Sequence, residues 1–406
     1  MRSLFDAAVA TGRAESLFAD DWQARRADIE ALVAGASVLV IGGSGTIGAA
    51  CTRLILDLKP KRLHIIDVDE NGLARVARDI RASGGDTADV ELVFLAADLG
   101  AYPAAAHCAA NAPFDLVLNF AAVKHVRSEK SLPALLHMID TNVVKQRSFL
   151  RAIARQDRRL RYFAVSTDKA ADPANFMGAT KRILEEVIFS AGDRHEGLAT
   201  SSARFANVAF SSGSLLESFV VRLQAGQPLA APRDTRRFFI SGQEAAEICL
   251  LALVSCPKGT LAIPRLSAER HLVNLPEIAA AFLARAGFRP TFVDSVAAAA
   301  SMLSEPPRPG AAYPVVLTPR DTAGEKSAEV FVGKDEGVIE LGLSNLLALQ
   351  PRRVPADLLE ATVDLLTERV TGKIGTRSIE ELGSLVRQIV PNFAHVGGNA
   401  HLDDRI

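Results

Sequence analysis

The sequence predicts an α/β protein built on a doubly wound parallel sheet, and three observations carry that prediction. SVLVIGG at 37–43 is a β-branched run that ends in glycines. From there to about residue 208, apolar strands alternate with helical stretches, the rhythm of βαβ units. The strands fall at 37–42, 62–67, 92–97, 115–120, 161–166 and 199–205, and each interval is long enough for a right-handed helical crossover.

The remaining elements follow in order. Residues 1–36 predict an N-terminal helical extension: Leu4, Phe5, Leu17, Phe18, Trp22, Ile29 and Leu32 recur at helical spacing among many charges, as in two short amphipathic helices. Residues 37–208 form the Rossmann-type domain. From 209 to 345 the alternation loosens into shorter strands, RRFFI at 236–240 and TLAIP at 260–264, with helices at about 242–255 and 275–287; this is the pattern of a smaller α/β substrate lobe. SEPPRPGAAYP at 304–314 reads as a surface loop. Residues 346–406 form a C-terminal helical segment and tail, with amphipathic helices near 356–370 and 378–389.

Composition narrows the function. The chain has 406 residues, 49% hydrophobic and 23% charged, with 46 basic against 47 acidic groups. This is the balance of an ordinary folded enzyme. It provides no global field for nucleic acid or an anionic membrane and leaves room only for a local basic pocket. Cys51, Cys108, Cys249 and Cys256 form no CxxC pair and are expected to be reduced, buried thiols. No run approaches the roughly 20 apolar residues of a membrane span, and Asp6 and Glu15 interrupt the region where a signal peptide is apolar. A cytoplasmic protein is expected. His64, His107, His137, His195, His271, His395 and His401 lack metal-ligand spacing with the cysteines, so no metal is expected. GxSxG is absent, which leaves hydrolysis without support.

GGSGTIG at 42–48 follows the first strand and opens a helix. Gly42, Gly45 and Gly48 let backbone approach a pyrophosphate, and the helix N-terminus supplies N–H donors; Ser44, Thr46 and Ile47 belong to the same loop. Asp67 ends the second strand about 20 residues on, where a carboxylate accepts ribose hydroxyls and repels a 2′-phosphate, favouring NAD over NADP. Asp98, followed by Leu99, stands after the third strand, where it either accepts from the adenine amine or serves as a turn residue. Thr167, Asp168 and Lys169 are consecutive at the carboxyl end of the fifth strand, the edge where open α/β sheets bind ligands. A carboxyl beside an ammonium can act as an acid–base pair or simply form a solvated ion pair.

The string STDKA followed by P-x-N-x-MGA-T-KR at 166–182 resembles the nucleotide-sugar 4,6-dehydratases of bacterial polysaccharide and nonulosonate synthesis, a branch of the extended short-chain dehydrogenases. VLNFAAVKHV at 117–126, MIDTNV at 138–143, SARFANVAFSSGS at 202–214, DTRRFFI at 234–240 and AGEKSAEV at 323–330 agree in order, so the likeness covers about residues 37–335. KHVRSEKS at 124–131, RFANVAFSSGSLL at 204–216 and NFAHVGGNAHLDDRI at 392–406 resemble more narrowly the soluble legionaminic-acid-pathway dehydratases acting on UDP- or GDP-N-acetylglucosamine.

The resemblance implies that resident NAD takes a hydride from sugar C4, that water leaves across C5 and C6, and that the hydride returns to C6. Mapped onto this chain, it makes Lys169 the base at C5, Asp168 the acid for the 6-hydroxyl, Thr167 a holder of the 4-oxygen and Lys181 a holder of the nicotinamide ribose. Short-chain reductases place a Tyr four residues before that Lys; here Met177 stands there, and none of Tyr102, Tyr162 or Tyr313 precedes a Lys by four. A thioether cannot transfer a proton, which leaves Asp168, Lys169 or a water held by Thr167 to take the 4-hydroxyl proton. Met177 resembles the members that retain configuration at C5.

Further cofactor contacts are expected at Ala121, Ala122, Lys124 and Asn142, and substrate contacts at Lys124, His125, Arg204, Asn207, Arg236, Arg237 and Glu325. At that last loop Ala323 replaces a Pro common in relatives. Homo-oligomerisation is expected through helices at about 132–156 and 174–192, which are apolar on more than one face and pair in relatives. The alternatives are a 4- or 5-epimerase on the same scaffold and a catalytically silent NAD-binding protein.

Overall fold

The computed structural model describes residues 5–84, 87–155, 159–305, 307–319, 329–376 and 378–395. The chain begins with α1 (Ala8–Thr11) and α2 (Ala19–Val33) and then alternates β1 (Ser37–Ile41), α3 (Thr46–Asp57), β2 (Arg62–Asp67), α4 (Glu70–Ala82), β3 (Glu91–Ala96), α5 (Tyr102–Asn111) and β4 (Leu116–Asn119). After α6 (Leu132–Ile139), a π-helical turn at Asp140–Val144 leads into α7 (Lys145–Ile153); β5 (Leu160–Val165), α8 (Phe176–Arg194), β6 (Leu198–Ala203) and β7 (Asn207–Val208) follow. The remainder is α9 (Leu215–Gln224), β8 (Leu229–Pro232), β9 (Arg236–Ile240), α10 (Gly242–Ser255), β10 (Leu261–Pro264), α11 (Ala268–His271), β11 (Leu272–Asn274), α12 (Leu275–Arg285), β12 (Arg289–Val293), α13 (Val296–Met302), β13 (Ala312–Thr318), β14 (Gly337–Glu340), β15 (Leu346–Gln350), α14 (Ala356–Val370) and α15 (Ile379–Ile389).

The main sheet runs β14-β15-β10-β6-β5-β4-β1-β2-β3. β3 through β10 are parallel, and β15 and β14 add antiparallel at one edge. β1 and β4 are buried along their whole length, as strands covered on both faces must be, which is why both read as unbroken apolar runs. Strand order reverses at β1, which pairs with β2 on one side and β4 on the other, so a crevice opens at their carboxyl ends. Two three-stranded sheets, β11-β9-β7 and β12-β13-β8, stand beyond that edge.

Long-range pairing changes the picture drawn from sequence in four places. TLAIP joins the main sheet beside β6 as β10, and β15 and β14 extend that sheet further. The loop expected at 304–314 gives way at Ala312 to β13, the centre of its small sheet, where Tyr313 is fully buried. Instead of two amphipathic helices, the N-terminal segment holds one turn and α2, whose buried positions include Asp21; that carboxylate accepts the Ser344 and Asn345 N–H groups. Arg13 ties the same segment to α10 through Glu244 at 2.9 Å. Finally, the chain after β15 returns to cover α8 with α14 and α15.

Candidate active site

The glycine loop is fixed by sterics. Gly42 has φ +73°, and a Cβ there would lie 2.7 Å from the Ala121 nitrogen; a Cβ on Gly48 would lie 2.2 Å from the Gly42 oxygen. Gly45 differs. Its Cβ would meet nothing of the protein closer than 3.5 Å, so the absence of a side chain there keeps the cleft side open for a ligand above the first turn of α3. This is the geometry a pyrophosphate needs: bare backbone, free space and a helix N-terminus.

Around this loop lies a cleft of about 680 Å³, within the range of small-molecule sites. Its walls bring together Gly42, Ser44, Gly45, Thr46, Ile47, Gly48, Asp67, Asp98, Leu99, Ala121, Ala122, Lys124, His125, Thr167, Asp168, Lys169, Met177, Lys181 and Asn207. Asp67 is shaped by two backbone donors, Ser44 N–H at 2.9 Å and Asp69 N–H at 3.0 Å. Burial acts to raise the Asp98 carboxyl, but hydrogen bonds from Lys145 Nζ (2.8 Å) and Gly100 N–H (2.7 Å) outweigh it and hold the pKa below the ordinary range. The wall after β4 is braced from behind: Asn119 accepts the Ala121 N–H, and Gln146 donates to the Ala121 carbonyl.

At the end of β5, Thr167 Oγ1 donates to Asp168 Oδ1 at 2.7 Å, and Lys169 Nζ reaches the same oxygen at 3.2 Å. Asp168 is buried, whereas the Lys169 side chain keeps 39% exposure, enough to meet a ligand in the cleft. The MGA glycine makes this possible. A Cβ on Gly178 would lie 2.3 Å from the Lys169 carbonyl oxygen, so only glycine lets α8 pack against the turn that carries Asp168 and Lys169. Met177 lines the cleft, with its N–H held by the buried Glu129 carboxylate at 2.8 Å. One turn on, Lys181 Nζ donates to the Val165 carbonyl, and burial pushes its pKa down to about 8 against the pull of Glu185.

At the opposite side, Lys124 Nζ donates to the Ser212 carbonyl at 2.6 Å, linking the β4 loop to the 211–214 turn. Gly213 has φ +73° and faces the His125 ring, which a Cβ there would meet at 2.6 Å. Asn207 donates to Glu329 Oε1 at 2.6 Å and to the Phe238 carbonyl.

Other expected site residues do not line the cleft. Asn142 is buried behind the wall, where its amide brackets both the N–H and the carbonyl of Val123. Arg204 is fully buried and makes paired bonds to Glu185 (2.6 and 2.7 Å) and Glu336 (2.6 and 2.7 Å). Burial alone lowers the Arg204 pKa, but the two carboxylates outweigh it and raise it. Glu185, which burial tends to raise, is correspondingly held below the carboxylate range. A guanidinium saturated in this way cannot grip phosphate. Arg237 pairs with Glu329 at 3.2 Å, and Arg236 donates to the Leu272 carbonyl; both stand on β9 outside the cleft wall. Glu325 lies outside the described residues.

Sequence reading missed His137, Thr141, Lys145 and the Ser211–Ser214 turn, all of which line the cleft. Lys145 carries a signal that was available: it stands five residues after Asp140, two beyond the end of MIDTNV, and salt-bridges both Asp140 (3.1 Å) and Asp98. Among the described residues no group of three or more His, Cys, Asp or Glu can hold a metal, and no helix is long and apolar enough to cross a membrane. Cys51, Cys108, Cys249 and Cys256 are free.

Comparison with known proteins adds independent findings. The family model described as polysaccharide biosynthesis protein matches residues 38–302. The uncharacterized membrane protein MJ1061 of Methanocaldococcus jannaschii is 28% identical over 277 residues, 66% of this chain and 78% of that protein. An inverting UDP-N-acetylglucosamine 4,6-dehydratase of Campylobacter jejuni is 26% identical over 251 residues, 59% of this chain and 70% of that protein. The capsular polysaccharide biosynthesis protein CapD of Staphylococcus aureus is 27% identical over 217 residues, 53% of this chain, and the match spans only 35% of its length. A UDP-glucose 4-epimerase of Rickettsia prowazekii is 26% identical over 241 residues, 56% of this chain and 66% of that protein. Two solved structures share the fold. Pen from Bacillus thuringiensis has a TM-score of 0.60 at 21% identity, covering 87% of this chain and 98% of that one. WbmF of Bordetella bronchiseptica, in complex with NAD+ and UDP, has a TM-score of 0.53 at 15% identity, covering 89% and 98%.

Proposed function

We propose that this chain, which belongs to the polysaccharide biosynthesis protein family, binds NAD in the β1–β4 crevice and dehydrates a nucleotide-linked N-acetylglucosamine to its 4-keto-6-deoxy form. UDP and GDP sugars are the candidate substrates, C5 configuration is retained, and the product feeds a surface glycan of the legionaminic-acid type. The observation that carries the reading is the Thr167–Asp168–Lys169 cluster facing the same cleft as the glycine loop, with Met177 where a proton-transferring tyrosine is absent. The WbmF complex and the Campylobacter dehydratase support the cofactor and substrate classes.

When bound, the nicotinamide supplies a hydride acceptor for C4 and a hydride donor for C6. Thr167, which lines the cleft, would hold the water that carries the 4-hydroxyl proton out to solvent. The C4 ketone acidifies C5–H because the resulting carbanion delocalises into it. Moving one proton across the 3.2 Å Lys169–Asp168 contact turns the ion pair into a neutral amine and a carboxylic acid. Lys169 then takes the C5 proton, and Asp168 protonates the departing 6-hydroxyl, which leaves as water. Lys169 returns the proton to the same face of C5, so configuration is retained, and a proton from solvent recharges the amine. Lys181 holds the ribose, and the braced loop at Ala121–Val123 fixes the cofactor wall.

The test is incubation of the purified protein with UDP- and GDP-N-acetylglucosamine. A product lighter by one water, with no stoichiometric NADH released, is expected. The relation to UDP-glucose 4-epimerases favours one second reading, C4 epimerisation; an unchanged mass with an inverted C4 proton signal selects it and overturns dehydration.

A further inference from the structure

Helix α8 is buried on every side: all residues from Phe176 to Gly192 are buried, although the helix carries Lys181, Arg182, Glu185 and Glu186. A helix in that position needs a cover on the face turned away from the sheet. That cover comes from the end of the same chain. Leu359, Val363 and Leu366 of α14 and Leu382, Val386 and Ile389 of α15 join one core with the apolar side chains of α6, α7 and α8.

The polar groups at this junction are matched as closely as the apolar ones. Glu360 of α14 is gripped by Arg147 at 3.2 Å, by Arg151 and by Arg194. Arg147 also reaches Asp364 at 2.7 Å and donates to Thr367. Ahead of α14, Glu186 accepts the Val354 N–H, and Arg182 donates to the Arg352 carbonyl. Beyond α15 the chain turns toward the cleft. Phe393 stacks edge-on against Phe176 with centroids 4.9 Å apart, and His395 Nε2 lies 3.4 Å from Glu129, the carboxylate that holds the Met177 N–H.

We propose that α14, α15 and residues 390–395 act as a built-in partner, filling in cis the α6–α8 face that a second copy needs for pairing there and bracing the start of α8 at the cleft wall. Copies of this chain therefore do not associate through α7 and α8. The residues that set Met177 in place come from one polypeptide.

Hydrogen exchange on the full-length protein tests this, because protection supplied by another copy obeys mass action and protection supplied in cis does not. The expected result is slow exchange in α7 and α8 that stays constant when the protein is diluted through the range where any oligomer dissociates, as followed by sedimentation. Loss of α8 protection on dilution overturns the proposal. Glu360→Arg, which sets a fourth positive charge among Arg147, Arg151 and Arg194 without altering the apolar side chains of the core, is expected to speed exchange severalfold in α14 and α8 together; faster exchange in α14 with α8 unchanged counts against the cover. For the brace, Phe393→Ala is expected to loosen the amides of Phe176–Thr180 more than the rest of α8, and an unaltered pattern there removes that part of the proposal.

Discussion

The two ends of the cleft are made of different materials. At the glycine-loop end the surface is backbone, shaped by residues that cannot be anything but glycine: Gly42 and Gly48 have no space for a methyl group, and Gly45 leaves space for a ligand. Around Asn207 the wall is backed by ionised and polar side chains that hold one another behind it, with Asn207 and Arg237 sharing Glu329 and Arg204 locked between Glu185 and Glu336. Burial raises the Glu329 pKa and Arg237 opposes it, so that carboxylate depends on its partners to stay charged. A steric demand for glycine has one reading. An arginine in a motif states that a charge is needed, and only the fold decides whether it faces a ligand or an internal carboxylate.

The largest effect is expected between the two ends. Lys169→Ala should lower kcat by roughly 10²–10⁴-fold, the usual contribution of a positioned base, and leave the NAD dissociation constant unchanged. If NAD binding falls in parallel, the ends are not independent. Arg204→Met strands two buried carboxylates and should destabilise the protein by about 3–5 kcal/mol, read as a lower urea midpoint. If stability holds while the KM for the nucleotide sugar rises, Arg204 is a ligand residue after all. Gly48→Ala should cost about 1–3 kcal/mol of overpacking and weaken NAD roughly 10–100-fold by calorimetry; unaltered binding would remove the steric argument for the loop.

Six strands were legible to within a residue or two because parallel strands buried on both faces leave unbroken apolar runs, as SVLVI and LVLN do. The glycine loop and the Thr167–Asp168–Lys169 cluster were legible for a related reason: local chemistry and position at a strand end suffice to place them. What escaped depends on distant chain. Nothing in TLAIP says that it joins β6 rather than a second lobe, and nothing in α14 alone says that it covers α8. Asn142, in MIDTNV, was expected to touch the cofactor, but its amide supports Val123 from behind the wall, a role only the tertiary structure defines.

Lys181 gives the smallest expected effect and the finest probe of the backbone-built end. Burial lowers its pKa to about 8, against roughly 10.4 in an unfolded chain. Between those values the unfolded chain binds more protons, so this group's contribution to stability rises with pH across the window. The hold on the cofactor proposed for it runs the other way. The ribose hydroxyls need the ammonium, whose population falls about tenfold for each pH unit above the folded pKa. NAD affinity measured from about pH 7 to about pH 9.5 should therefore weaken above pH 8 while the thermal midpoint gains from this group. Lys169, proposed to act on the substrate, should affect kcat and leave this binding curve alone. Lys181→Met should flatten the curve, and a curve that keeps its high-pH fall in that variant assigns the titration to another group in the cleft.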